Sequence, residues 1–186
     1  MSHQRLLSTL AFVAATLACS VFVGGPSLPD PPISSSPEAL QALQADIEKA
    51  TLESLADGVL RLAITQEQFT AFLASRLSTQ DPPLITEPQV VLGEQEMVVY
   101  GRARAGIFEA TLSVTAQVAM DQSGQPEFRI SDAELGPLPM PQALKDSITA
   151  FVDEALTGYL GPLATGFRLE GIVISGGIMT VTGRLR

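Results

Sequence analysis

The sequence predicts an α+β fold in which a long, curved antiparallel β-meander wraps around an amphipathic helix, behind an N-terminal transmembrane helix. Three stretches lead to this prediction. Residues 6–25 carry no charge, residues 106–121 alternate apolar and polar side chains, and residues 141–160 carry an apolar stripe at helical spacing. Because sheets twist, a strand as long as the second stretch must coil, and we expect it to curl around the third.

The charge-free run at the N-terminus is long enough for a helix that spans about 30 Å of hydrocarbon. Arg5 precedes the run, and no Lys or Arg follows it before Lys49, which predicts a cytoplasmic N-terminus and an extracytoplasmic remainder. Two alternatives stay open. Residues 16–19 (TLAC) resemble a lipoprotein cleavage site before Cys19, and the run also fits a cleaved secretory signal.

Composition divides the chain into four parts. We assign residues 1–25 to a membrane anchor and residues 26–36, which are rich in Pro and Ser, to an extended tether. Residues 37–57 follow Ser36 as a capped helix that either continues the stalk or covers the domain. Residues 58–186 form the extracytoplasmic α+β domain.

The domain opens with a strand over residues 59–64 and a short helix after it. Thr65 and Gln68 have the spacing of a capping box, in which each side chain bonds the other residue's backbone N–H. Phe69, Phe72 and Leu73 then begin the apolar stripe of the helix, which ends before Pro82.

A meander and a closing hairpin account for most of the remaining pattern. We predict strands over residues 90–92, 97–104, 106–121 and 128–135, joined by glycine-containing turns. The prolines of residues 136–141 end the sheet before the helix of residues 141–160. Residues 167–174 and 178–185 pair around Gly176-Gly177, a sequence suited to a two-residue turn.

Charge and composition exclude several function classes. The net charge is −9 and the only lysines are Lys49 and Lys145, which argues against nucleic acid as a partner and against electrostatic binding to anionic lipid. The only cysteine is Cys19 and the only histidine is His3, so the domain lacks Ser-His-Asp and Cys-His catalytic sets and His- or Cys-based zinc sites. No phosphate-binding glycine motif occurs. We expect no enzyme activity, no cofactor and no metal.

Two arginines of the second meander strand are the remaining polar candidates. Arg102 and Arg104 are two residues apart, so their side chains leave the strand on the same side. Such a pair either contacts a phosphate or simply keeps a strand soluble, and we favour the second interpretation.

The order of these segments resembles a known class of envelope proteins. An N-terminal anchor, a Pro/Ser tether, a strand that leads into Ile64-Thr65-Gln66-Glu67-Gln68-Phe69, a long meander and Gly136-Pro137-Leu138-Pro139-Met140-Pro141 before a helix are similar to YpmS-type single-pass bacterial membrane proteins. More distantly, they are similar to LmeA-like cell-envelope proteins. The resemblance covers residues 58–186 and implies a fold like that of tubular lipid-binding domains, with an apolar groove for acyl chains and no catalytic residues.

The resulting hypothesis is a membrane-anchored extracytoplasmic module that binds lipid or another apolar envelope ligand and does not transform it. The periodicity itself fits an ordinary packed core equally well. A packed interaction or structural domain on a membrane stalk, with an unknown protein partner, is therefore the alternative, and an enzyme for lipid-linked sugar comes third. The residues predicted to line the groove are Phe108, Leu112, Val114 and Val118 on the sheet and Phe151, Leu156 and Tyr159 on the helix.

Overall fold

The protein has an α+β fold with a curled, mainly antiparallel sheet. The computed structural model describes residues 21–79, 83, 85–105, 107–120, 126–137, 140, 142, 145–146, 148–150 and 166–186. The helices defined over these residues are α1 (Pro37–Asp57) and α2 (Gln66–Leu77). The strands are β1 (Val21–Phe22), β2 (Val59–Thr65), β3 (Ile85–Leu92), β4 (Glu96–Ala105), β5 (Phe108–Met120), β6 (Pro126–Leu135), β7 (Phe167–Ser175) and β8 (Ile178–Leu185).

Strand β5 organises the larger sheet. It has 13 residues, of which those from Phe108 to Gln117 pair with β4 along one side. The other side is shared end to end by two strands: β6 pairs antiparallel from Leu112 onward, and β1 pairs parallel with Phe108 and Glu109. The sheet order is β1-β5-β4-β3, with β6 also on β5. Register shifts in the β3–β4 and β5–β6 pairs bend the strands locally.

The second sheet is a three-stranded antiparallel unit of order β2-β8-β7. Gly176 and Gly177 have φ angles of 59° and 79°, the conformation of a two-residue hairpin turn, as predicted. This turn meets the β3–β4 turn of the larger sheet. The backbone N–H of Gln95 donates to the carbonyl of Ile174 at 2.9 Å, and the Glu94 carboxylate accepts from the Ser175 hydroxyl.

Both described helices begin where the sequence predicts. Ser36 caps α1, and the predicted Thr65–Gln68 capping box is present at the start of α2. Helix α1 packs against β2 and α2, with Leu43 only 1% exposed, which is the packing of a covering helix. Helix α2 packs against β3, where the buried hydroxyl of Thr70 accepts a hydrogen bond from the backbone N–H of Val90 at 2.9 Å.

The helix predicted for residues 141–160 is only partly within the described residues. Positions 142, 145–146 and 148–150 have helical backbone, and the Thr149 hydroxyl donates to the Lys145 carbonyl one turn earlier. Ile148 is 2% exposed and belongs to the same core as the strands and α2. The other positions of this helix lie outside the described residues, and the wrapping of the sheet around it stays a prediction.

The N-terminal part of the described chain is bonded to the sheet. The carbonyl of Gly24 accepts from the Thr111 N–H at 3.0 Å, and the Ile33 N–H donates to the Gln89 side chain at 2.9 Å. Residues 21–25, which the charge pattern assigns to the anchor, thus continue the edge of β5 beyond β6. The remainder of the predicted anchor lies outside the described residues. In the described part of the chain, no helix is long and apolar enough to cross a membrane.

Candidate functional site

The inner face of β5 holds the sheet residues that the alternation predicts to line a groove. Leu112 and Val114 are 0% and 1% exposed, and Val118 is partly buried against the core. Phe108, at the start of the strand, is 46% exposed. The structure thus places all four side chains on one face of the strand, but the protein itself covers Leu112 and Val114 in the middle of that face. The helix-side candidates Phe151, Leu156 and Tyr159 lie outside the described residues.

An open pocket lies at the edge of this inner face. It has a volume of about 590 Å³, within the usual range for small-molecule sites. Leu135 and Ala133 of β6 are paired in register with Leu112 and Val114, so the pocket wall continues the covered face of β5. The lining residues are Val23, Gly25, Pro26, Ala133, Glu134, Leu135, Gly136, Pro137 and Met140.

Two glycines allow the close backbone crossing at the base of this pocket. A Cβ on Gly25 would collide with the carbonyl oxygen of Thr111. Gly136 has a φ of 56°, and a Cβ there would lie 3.1 Å from both the Ala110 side chain and the Gly24 carbonyl oxygen. Only residues without a side chain let the N-terminal segment and the end of β6 meet on β5 in this way.

The wall of the pocket combines apolar and polar surface in about equal parts. Val23, Leu135 and Met140 present alkyl and thioether surface, and Glu134 supplies one carboxylate among the lining residues. A hydrocarbon group gains about 0.8 kcal/mol for each CH₂ that such a wall removes from water. Among these described lining residues there is no nucleophile paired with a base.

Sequence reasoning misses these lining residues for a physical reason. The prolines of residues 136–141 predict only the end of the sheet. Residues 23–26 are predicted to belong to the anchor and the tether, not to a pocket wall. The pocket exists because β1 pairs in parallel beside the end of β6, and parallel pairing between distant segments leaves no local pattern. The small residues Gly25 and Gly136 were the only signal available.

On the outer face, the two arginines of β4 are neutralised by carboxylates. Arg102 lies 3.1 Å from Glu87 and 3.4 Å from Glu109, and Arg104 lies 3.3 Å from Glu109. The Arg102 guanidinium also lies 5.9 Å from the centre of the Phe22 ring. These ion pairs support the interpretation of the arginines as a solubilising pair.

A second, smaller cleft lies between α1 and β2. It has a volume of about 280 Å³ and is lined in part by Asp46, Lys49, Glu53 and Arg61. The Gln68 amide donates to Asp46 at 2.6 Å across it. This hydrogen bond ties α1 to α2. Among the described residues, no group of three or more His, Cys, Asp or Glu side chains is placed to hold a metal ion.

Comparison with known proteins does not assign this chain to a family. No protein-family model matches it, and no curated protein matches its sequence. Its function must therefore be argued from the pocket and the surfaces around it.

Proposed function

We propose that this protein is a membrane-anchored module outside the cytoplasm that binds a lipid or another apolar envelope component without transforming it. The observation that carries the proposal is the pocket of about 590 Å³ on the inner face of the long curled sheet. A pocket of this size, with a wall that is part apolar and part polar, suits the end of an acyl chain with a polar group beside it.

The binding mechanism follows from which side chains are already covered. Ligand alkyl groups would first contact Val23 and Met140, which are partly exposed in the pocket wall, whereas Leu135 is buried beside them. Leu112 and Val114 are buried by the protein itself, so a longer chain would reach them only by displacing the cover. In this proposal the helix of residues 141–160 is that cover, with Phe151, Leu156 and Tyr159 as its ligand-facing residues. Burial of alkyl surface would drive displacement.

The anchoring part of the proposal rests on sequence. Residues 6–20 are uncharged and directly precede β1, and the positive-inside pattern places the domain outside the cytoplasm. Residues 26–186 contain neither histidine nor cysteine, which supports binding rather than catalysis. The resemblance to YpmS-type and LmeA-like proteins suggests the same class of ligand.

Lipid binding is testable on a chain that begins at Val21 and so keeps the contacts of β1. We expect native mass spectrometry and organic extraction of the purified chain to yield co-purified lipid. A dansyl-labelled undecanoic acid should bind and be displaced by natural lipids. Ala133→Phe, which fills the pocket, should weaken binding at least tenfold, or about 1.4 kcal/mol, equal to roughly two buried CH₂ groups.

The matched control is Ala63→Phe, the same substitution at an exposed position of β2 outside this pocket. This variant should bind the probe like the unmodified chain. A ligand-free preparation that neither binds the probe nor gains stability from added lipids would reject the proposed function.

One observation favours the second candidate, a protein-interaction domain on a membrane stalk. Leu52 and Leu55 of α1 are 60% and 66% exposed, on a helix whose opposite side packs on the domain. A photo-crosslinking residue at position 55 should capture a discrete partner in intact cells if this candidate is correct. Leu52→Ser should then abolish the crosslink and leave lipid binding unchanged. If position 55 gives no discrete product, this candidate fails.

A further inference from the structure

Four exposed apolar side chains cluster where the described chain begins. Val21, Phe22, Ile107 and Phe108 are 46%, 57%, 58% and 46% exposed, and we call them the apolar tip. Val21 is paired with Phe108 and Phe22 with Glu109, while the Val21 N–H donates to the Ile107 carbonyl at 2.7 Å. The four residues therefore lie together at the β4–β5 end of the sheet, with Val21 and Phe108 on one face and Phe22 on the other.

The composition of the apolar tip is unusual for its place in the fold. Turns and sheet ends that face water are normally polar, and single exposed apolar residues require no explanation. A group of four exposed ones on both faces of one sheet end marks an interaction surface. Beside the tip, Arg104 and Arg102 are paired with Glu109 and Glu87, so the neighbouring charge is balanced.

The chain that leads into the apolar tip identifies what covers it. Residues 6–20 are charge-free and end directly before Val21. About 15 residues make a helix of roughly 22 Å, which is shorter than the ~30 Å hydrocarbon core of a bilayer. A span of that length would draw the residues that follow it into the membrane interface. We propose that the apolar tip is seated in the interfacial layer of the bilayer that holds this anchor.

This inference rests on the proposed anchoring and adds an orientation to it. The pocket residues Val23, Gly25 and Pro26 follow the tip directly, and four residues of extended chain cover about 13 Å. The pocket would open close to the lipid headgroups, so that an acyl chain leaves the bilayer with little exposure to water. Because the local charge is balanced, seating should depend on apolar contact and not on anionic lipid.

The absence of tryptophan from the sequence permits a direct measurement of depth. The full chain carrying Ile107→Trp is reconstituted into phosphatidylcholine vesicles, with or without brominated acyl chains. Ile178→Trp is the matched control: it also replaces a partly exposed isoleucine beside a hairpin turn, but that turn lies near the β3–β4 turn, at the far end of β4. The ten residues of β4 separate the two ends by roughly 30 Å.

We expect brominated lipid to quench the indole of Ile107→Trp at least about threefold more strongly than that of Ile178→Trp, and aqueous acrylamide to show the reverse order. The difference should persist in equimolar phosphatidylcholine and phosphatidylglycerol. Phe22→Trp, a conservative replacement on the other face of the tip, should behave like Ile107→Trp and guards against a local effect of one substitution.

Two results would overturn the inference. Equal acrylamide quenching at positions 107 and 178 would place the tip in water, and protection of the indole at position 107 from both quenchers would show that the protein's own chain covers it. The proposed function and the interfacial seating can be tested independently of each other. A chain that stays in the membrane pellet after a carbonate wash and binds the dansyl probe, yet has its tip in water, keeps the function and loses the interfacial seating.

Discussion

The middle and the start of the inner face of β5 have the same sequence pattern and opposite environments. In its middle, Leu112 and Val114 are completely buried, whereas Phe108 at its start is almost half exposed. Both regions alternate apolar with polar residues. The difference is in the partners: β6 flanks the middle, while only the two residues of β1 flank the start. An alternating pattern identifies the dry face of a strand, and tertiary contacts decide how much of that face is free to bind something else.

Truncation of one residue in each region should separate a packing role from an exposed one. Leu112→Ala should lower the free energy of unfolding by roughly 3–4 kcal/mol because it leaves a cavity in the core. Phe108→Ala should change it by less than about 1 kcal/mol because half of the ring is already in water. Urea unfolding followed by circular dichroism measures both. Equal losses would show that the two regions do not differ in packing.

The boundary between the two regions depends on Gly25. Gly25→Ala should destabilise the protein by roughly 3 kcal/mol or more, since its Cβ would meet the Thr111 carbonyl and its φ is 139°. Gly24→Ala is the matched control, because Gly24 also has a positive φ, of 94°, but open space around the added Cβ. It should cost roughly 1–2 kcal/mol. If both variants unfold at the same urea concentration, the close crossing contributes nothing to stability.

The ion pairs around the exposed start of β5 should contribute less to the stability of the protein than the close crossing at Gly25. Glu109→Gln removes the carboxylate that meets both Arg102 and Arg104, at a side chain only 18% exposed, and should cost about 1 kcal/mol. Glu87→Gln, whose carboxylate is 62% exposed, should cost less than about 0.5 kcal/mol. Both differences should shrink in high salt. A salt-independent loss at Glu109 would indicate that packing, not charge, is responsible.

The smallest expected effect lies away from β5, at the end of α1. The hydrogen bond from the Arg61 guanidinium, with a second from the Val59 N–H, lowers the pKa of the Asp57 carboxyl below its ordinary value of 3.8. Asp57 therefore adds stability above pH 3.8 that is lost as the pH falls through the lowered pKa. In Asp57→Asn, the drop in stability on acidification below about pH 4 should be slightly smaller than in the unmodified chain. An unchanged acid profile would contradict this assignment.

Much of the fold follows from local sequence signals. Strand β8 has the bounds that its alternation predicts, and the Gly176-Gly177 turn and the Thr65–Gln68 capping box are confirmed. Each of these depends on residues that are close in sequence, where side-chain periodicity and backbone φ preferences act directly.

Features that depend on distant segments escape prediction. Strand β3 begins at Ile85, five residues earlier than predicted, because a register shift near Glu87, whose φ is 51°, interrupts the alternation. Strand β1 is hidden in the charge-free run, since Val and Phe suit hydrocarbon and a sheet edge equally well. The pocket depends on β1, so the sequence does not predict it either. The alternation also does not predict that Phe108 is 46% exposed, which is more than expected for a residue that lines a groove.

The parallel pairing of β1 with β5 also has a mechanical consequence. Three hydrogen bonds join the strands in succession, from Val21 to Ile107, from Val23 to Glu109 and from Thr111 to Gly24. A pull on the chain ahead of Val21 acts along both strand axes, so these bonds bear the load together in shear and do not open one after another. Tension at the N-terminus would thus be transmitted into the middle of the sheet.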